Sequence, residues 1–340
     1  MTLLRKRILT ILQLLLFLGL GIFIVWWMAR GIDSNGWTQI RESLSRANYW
    51  LFVPVLVILV LSHYVRALRW KILMEPLGYQ PSTFNVFNAV MIGYMANLAF
   101  PRLGEVLKCT ILARYEKTGP DKLIGTIVAE RAVDLVCLLS IFVLTVLVQI
   151  DTVGAYAAGL LQQIWKGANE QFSWLRLLVA VGLLVLLFVT IVWFFRRYSH
   201  LKPVQAVKGV VKGIWSGLIS IRYIRNKGAF ILYSVLIWTL YYAGTRIGFY
   251  ALQEVSHLGA RETLSILSFG SIGMIVTQGG LGAYQYAVQE TLVLYDIPRV
   301  MGFIYGWILW IAQTGVILLG GLFSLVVLPV INQKKDRPVK

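Results

Sequence analysis

The chain has 340 residues, 58% hydrophobic and only 14% charged, with a mean hydropathy of +0.72 and a formal net charge of +17. Soluble domains carry about 25% charged residues, so this balance excludes an ordinary soluble enzyme. The basic excess lies mostly in short segments beside apolar runs, which points to membrane topology and anionic headgroups and away from nucleic acid.

Six apolar runs are long enough to be read as full membrane spans: residues 8–29, 50–67, 123–149, 177–195, 229–252 and 301–329. The first exceeds the apolar core of a signal peptide and ends Trp-Trp-Met-Ala-Arg-Gly, so it is expected to be retained. Two further runs are interrupted. Residues 84–100 contain Asn85, Asn88 and Asn97 and lead into Pro101, and residues 264–294 are broken by Gln278-Gly279-Gly280 and Gly282. Irregular backbone at membrane depth survives only where protein or water satisfies it. Both are read as re-entrant or broken helices. The fold expected is therefore an all-α polytopic membrane protein, a single domain over 1–340, with about six full spans plus these two regions; eight spans is the alternative. Residues 203–226 carry an apolar stripe at spacings of three and four among Lys208, Lys212, Arg222 and Arg225, the pattern of an interfacial amphipathic helix.

Under six spans, the Lys and Arg residues number 3 at the start, 8 in 66–122, 8 in 196–227 and 4 in the tail, all on one side, against 7 on the other. The positive-inside rule places both termini in the cytoplasm. Crossing at 84–100 would carry Arg102, Lys108, Arg114 and Lys117 outward, so the same bias favours re-entrance there.

Charges inside apolar runs mark function, because a charge in hydrocarbon is costly unless it is paired or lines a cavity. Arg66 and Arg69 are three apart on one helix face, and a guanidinium fork holds phosphate through paired hydrogen bonds; an ordinary interfacial anchor is the rival reading. The segment from Asn97 through Pro101, Arg102 and Gly104 to Glu105 combines a helix breaker, a site of close backbone approach and two charges. Glu130, Arg131 and Asp134 lie at spacings that allow Glu130 and Asp134 to share a face and Arg131 to pair with Asp134. Gly279, Gly280 and Gly282, followed by Gln285 and Glu290, would suit a discontinuous helix beside a substrate path. Arg246, alone in its run, has Glu290, Glu105 or a phosphate as possible partners. The two cysteines, Cys109 and Cys137, and the three scattered histidines form no metal or redox motif, and no nucleotide or cofactor fingerprint is present, so neither metal nor cofactor is expected.

In this order the clusters resemble the transmembrane domain of lysylphosphatidylglycerol synthases and flippases. The matching elements are Arg66-Ala-Leu-Arg69-Trp70, Pro101-Arg102-Leu-Gly104-Glu105, Glu130-Arg131-Ala-Val-Asp134 and Gly279-Gly280-Leu-Gly282. The family pattern commonly has Pro where Gln278 stands and a carboxylate where Gln285 stands, so this chain departs from it at both places. The resemblance implies a membrane domain linked to translocation of an aminoacylated phospholipid, without the separate aminoacyltransferase domain. Its archaeal relatives make a polyprenyl-phosphate substrate credible too.

The expected function is a lipid flippase or scramblase for an anionic phospholipid or a polyprenyl-phosphate-linked lipid, in a prokaryotic inner membrane. Arg66, Arg69, Arg102, Arg131 and Arg246 would meet phosphate. Glu105, Glu130 and Asp134 would organise them, and Asn97, Pro101, Gly104, Gly279, Gly280, Gly282 and Gln285 would shape or gate the path. Partners expected are phosphate-bearing membrane lipids, with a lipid-modifying enzyme or a second copy of the chain as further candidates, and no nucleic acid. The rivals are a membrane-embedded transferase acting on a lipid-linked phosphate and a noncatalytic interaction subunit.

Overall fold

Residues 3–100, 102–116, 118–149, 205, 219 and 221–335 are described by the structure, a computed structural model, with side chains between Leu16 and Gln333. The described residues are mostly helical, with no strand among them. The helices are α1 (Leu3–Arg30), α2 (Ser34–Arg46), α3 (Phe52–Met74), α4 (Thr83–Ala99), α5 (Leu103–Glu116), α6 (Pro120–Val148), α7 (Lys227–Phe249), α8 (Ala260–Val276), α9 (Ala283–Val293) and α10 (Arg299–Lys335).

Local chemistry sets several boundaries. Asp33 accepts from the Gly36 amide at 2.8 Å and caps α2, Asn226 does the same for the Ala229 amide at 3.0 Å on α7, and the Glu262 carboxylate reaches back to the Gly259 amide at 2.6 Å to open α8. Pro120 sits in the first turn of α6, with Asp121 beside it at the positive end of the helix dipole.

Four helical stretches are long and apolar enough to cross a membrane: Tyr49–Leu77, Pro120–Val148, Lys227–Phe249 and Arg299–Gln333. A fifth is the pair Leu16–Arg30 and Ser34–Arg46 if it is taken as one span, although it bends by 103°. The four correspond to four of the six expected runs, and the bent pair overlaps a fifth, 8–29. The sixth, 177–195, lies outside the described residues, as does nearly all of 203–226, where Ile221–Tyr223 forms a single 3-10 turn. Helix α6 shows why the sequence reads as a membrane protein. It turns Thr126, Glu130 and Val133 inward and leaves Val136, Leu139, Val143 and Leu147 exposed at helical spacing. Polar inside and apolar outside is the arrangement that hydrocarbon favours.

The two interrupted runs form helical hairpins, each returning to the end of the bundle that it left. Arms α4 and α5 are antiparallel: Ser82 and Asn85 bond Glu116 at one end, at 3.0 and 2.5 Å, while Asn97 Oδ1 accepts from the Gly104 amide at the other, at 2.8 Å. Arm α8 meets the turn that follows α9 through Ser265 and Tyr295, whose hydroxyls are 2.7 Å apart. With 17, 14, 17 and 11 residues, the arms reach about 25, 21, 25 and 16 Å at ~1.5 Å per residue, short of a hydrocarbon core of roughly 30 Å.

The hairpins enter from opposite ends. The first end gathers the Met74, Thr83, Glu116 and Pro120 termini with the end of α10, tied by the reciprocal amide pair Asn85–Asn332 at 3.0 and 3.1 Å and by Tyr79 accepting from the Gly119 amide at 3.1 Å. The second end gathers Gln149, the start of α8, the end of α9 and the start of α10, where Gln149 donates to Ser265 at 2.6 Å and to the Arg261 carbonyl at 3.1 Å. Between the ends the tips touch: the Gln278 side-chain amide donates to the carbonyls of Asn97 and Leu98.

Candidate functional site

The bundle centre holds five charged side chains drawn from three helices. On α3, Arg66 and Arg69 face α6. Arg66 reaches Asp134 at 2.6 Å and Glu130 at 3.4 Å, and Arg69 reaches Asp134 at 2.5 Å. Lys108 on α5 contacts the other oxygen of Glu130 at 2.7 Å and lies 4.5 Å from the centre of the Trp70 ring, whose indole N–H donates to Thr126 at 2.8 Å. Further bonds run from Arg66 to the Tyr241 hydroxyl at 3.2 Å and from Arg69 to the Ser234 hydroxyl at 3.4 Å, both on α7. Arg69 and Trp70 are fully buried. From the start of α6, Glu130 stands about 15 Å along the axis, deep in the bundle at ~1.5 Å per residue.

Arg131 does not pair with Asp134 as its spacing allows. One residue beyond Glu130 it turns to the other side of the helix and pairs with Glu105 at 3.0 Å, with 52% of its side chain exposed. Asp134 is taken by the two arginines of α3, because the Glu130–Asp134 face is the one that α3 covers.

In front of this network lies a cavity of about 600 Å³. Arg66, Arg102, Glu105, Arg131 and Asp134 line its charged part, while Leu59, Leu135, Leu138, Ile275 and Ile317 line an apolar part. The hairpin tips contribute Asn97, Leu98, Thr277, Gln278 and Gly279. Arg102 has the left-handed φ of 64° and makes no ion pair or hydrogen bond among the described residues. The carboxylates are all engaged by cations. Around the cavity and directly behind it stand five cations, Arg66, Arg69, Arg102, Lys108 and Arg131, against three carboxylates, Glu105, Glu130 and Asp134, a local excess of two positive charges. The arrangement can hold an anion at a polar end and a hydrocarbon chain at an apolar one.

The remaining sequence-derived residues fall into place around it. Arg246 is not on the cavity wall; its guanidinium lies 4.8 Å from the centre of the Tyr250 ring and joins no ion pair among the described residues. The carboxylates considered for it are occupied, Glu290 by Arg299 at 3.0 Å and Glu105 by Arg131. Gly104 is a crossing point: a Cβ there would stand 1.7 Å from the Gly93 carbonyl oxygen of α4. Gly282, at φ 78°, packs on the Gly21 carbonyl of α1. Gly279 also has positive φ, and its carbonyl accepts from the Trp310 indole at 2.8 Å. Gly280 follows in the same tight turn. Gln285 is fully buried and caps α9 by accepting from the Gly282 amide at 2.8 Å. Pro101 lies outside the described residues.

Sequence reasoning passed over His63, Tyr94 and Tyr241. His63 and Arg66 sit one turn apart, as do Tyr94 and Asn97, so a search for polar residues at helical spacing from the flagged ones would have found these two, whereas Tyr241 has no flagged residue one turn away. All three line the cavity.

A family model described as the lysylphosphatidylglycerol synthase TM region matches residues 10–329. A UPF0104 membrane protein of Methanocaldococcus jannaschii is 25% identical over 133 residues, which cover 38% of this chain and 36% of that protein. The chain thus matches about a third of the length of that curated relative. No solved structure matches it.

Proposed function

The chain belongs to the lysylphosphatidylglycerol synthase TM-region family of multi-pass membrane proteins, and from that premise we propose that it translocates a phosphate-bearing lipid, either an anionic phospholipid or a polyprenyl-phosphate-linked one. The observation that carries this reading is the joint presence of Arg66, Arg102 and Arg131 on one cavity whose remaining wall is largely apolar. The arginines take the phosphate, and the apolar wall takes the proximal part of the chain. Arg69 and Lys108, shielded behind, hold Glu130 and Asp134 and thereby orient Arg66. The pairing of each carboxylate with a cation favours binding and passage over proton transfer in a transferase.

In this reading the first end and both termini face the cytoplasm of a prokaryotic inner membrane, following the basic residues. Hairpins α4–α5 and α8–α9 are re-entrant from opposite sides, and their contact at Asn97, Leu98 and Gln278 separates two entrances. Movement of one tip against the other exposes the cavity alternately, the general logic of transporters with broken helices.

The test is leaflet-specific redistribution of labelled anionic phospholipids and polyprenyl-phosphate lipids in proteoliposomes, against empty vesicles and an Arg131→Ala variant. Protein-dependent movement of one lipid class is expected, reduced about tenfold or more in the variant, the scale of one lost charge-assisted hydrogen bond. Absence of movement of both classes with folded protein would overturn the proposal, and product formation in detergent would point to a transferase.

A further inference from the structure

Helix α6 is anchored by an apolar core along its first half and by a polar seam along its second. Leu123, Ile127, Ala129 and Val133 pack in the core that Trp70 and Leu112 share, and Glu130 and Asp134 fix the same stretch through the charge network. Between Leu138 and Gln149 the buried side chains are Thr145 and Gln149, while Leu139, Val143, Leu144 and Leu147 are exposed. Both buried residues are polar, and both reach α8. The hydroxyls of Thr145 and Ser268 are 2.7 Å apart, and that of Thr145 also stands 3.3 Å from the Leu264 carbonyl oxygen. Gln149 donates to Ser265 at 2.6 Å and to the Arg261 carbonyl at 3.1 Å, and accepts from the Tyr295 hydroxyl. Phe142 and Phe269 add an edge-to-face contact, ring centres 5.8 Å apart.

These pairs run in order along two antiparallel helices, from the second end inward. Past Phe142 and Phe269, Leu135 and Leu138 of α6 and Ser271 and Ile275 of α8 line the cavity, and Ile275 is 73% exposed, so the helices have parted. The seam therefore closes the cavity on the side of the second end. Its α8 half is the fixed one. Ile266 packs in a core with Phe249, Tyr284 and Leu292, and a Cβ at Gly273 would stand 2.7 Å from the Ala283 carbonyl oxygen of α9. The α6 half has no such footing among the described residues. Lipid tails are as apolar as its exposed leucines and valines, so a few hydrogen bonds set where this half-helix lies. Within it the Ser140 hydroxyl donates to the Val136 carbonyl at 2.9 Å, a bond of the kind that often bends a helix.

We propose that the second half of α6 is the gate of the second entrance: it swings away from α8 about the stretch between Asp134 and Ser140, and the cavity then opens sideways into the leaflet at the second end. The lipid leaves between α6 and α8, its chains passing straight into the bilayer. This rests on the translocation reading and names the element that moves.

The test locks the seam. In a full chain carrying Cys109→Ala and Cys137→Ala, the pair Thr145→Cys and Ser268→Cys is oxidised with copper phenanthroline, and loss of free thiols is followed until the bridge is complete. Lipid redistribution in proteoliposomes is then measured before and after reduction with dithiothreitol. The bridge is expected to slow redistribution about tenfold or more, and reduction to restore it. Bridged protein that moves lipid within about twofold of its reduced form overturns the gate and leaves translocation standing. A second measurement does not depend on transport. Leu138→Cys in the same cysteine-free chain reports access to the cavity, through its rate of labelling by an impermeant maleimide in intact cells. Gln149→Leu with Ser268→Ala loosens the seam and is expected to raise that rate about tenfold, the scale of two or three hydrogen bonds between membrane helices. An unchanged rate overturns the gate, whatever the lipid assay gives. A raised rate in a chain that moves neither lipid class supports the gate and overturns the translocation reading alone.

Discussion

At Glu130 a single carboxylate faces Lys108 on one oxygen and Arg66 and Arg69 on the other, in a setting only 3% exposed. Removing it leaves Lys108 buried without its counter-charge, since no other carboxylate pairs with that lysine among the described residues. Glu130→Ala is expected to destabilise the protein by about 3–5 kcal/mol, because an uncompensated buried charge is far costlier than the pair was valuable. Thermal unfolding in detergent would show this as a lowered midpoint, and Lys108→Met in the same background should recover part of the loss. Arg131→Ala makes the opposite prediction. Its pair with Glu105 is half exposed and contributes at most ~1 kcal/mol, so the midpoint should barely move while lipid redistribution falls. A large drop in stability for Arg131→Ala would mean that the residue is structural. At this scale the sequence was legible as far as the helix face: the i,i+4 spacing of Glu130 and Asp134 placed both on one side of α6. It could not reveal that Arg66 and Arg69, more than sixty residues away, cover that side, nor that Lys108 approaches from a third helix.

The hairpins depend on features that spacing alone made visible. Asn97 and Gly104 flank the break between α4 and α5, and the two helices cross with backbone nearly touching at Gly93 and Gly104. Gly104→Ala would force the arms apart. It is expected to cost about 1–3 kcal/mol or more, as overpacking does, whereas Gly125→Ala on α6, with nothing within 4 Å of the added carbon, should be neutral or stabilising by up to ~1 kcal/mol. Comparing the two unfolding midpoints separates a crossing-point role from helix propensity. Gln278 supplies a second device. Its side chain ties the α8–α9 tip to carbonyls at the α4 tip, a bond that proline in its place would not make. Gln278→Met should loosen the tip by roughly 1 kcal/mol, read as about fivefold faster amide exchange at Gly280 and Leu281. Unchanged exchange would show that the tie does not hold the tips. The sequence marked both breaks through Pro, Gly and Asn, because those residues interrupt helices wherever they fall. It had no means of showing that the breaks meet.

Across the whole molecule, the two ends of the bundle carry different charge. Among the described residues Lys71, Arg114, Lys122, Arg222, Arg225, Lys227, Lys334 and Lys335 fall at the first end, while the second end, with α2 packed on it, carries Arg30, Arg41, Arg46, Arg261 and Arg299. Single cysteines introduced into a cysteine-free variant test the resulting topology. In intact cells an impermeant maleimide is expected to label positions 256 and 296 and to leave 78 and 226 unlabelled until the membrane is opened. Position 102 discriminates re-entrance from crossing: at a tip beside the cavity it should react slowly from both sides, whereas in an eight-span arrangement it would label from outside as readily as 296. Labelling of 78 from outside would invert the orientation.

By itself the sequence determined that this is a helical membrane protein, where its continuous runs and interruptions lie, and which charges share a helix face. Hydrophobicity and turn chemistry are local properties, and periodicity converts them directly into helices, breaks and faces. Only the tertiary structure decided that α3 meets α6 through Arg66, Arg69, Glu130 and Asp134, that Arg131 turns to Glu105, that Arg246 stands apart, and that His63 and Tyr94 join the cavity wall. The reason is that lipid tails are as apolar as the helix surfaces, so apolar patterning gives little preference for one helix neighbour over another. The choice falls to a few small-residue crossings and buried polar contacts, and these form between residues whose separation along the chain carries no trace of their meeting.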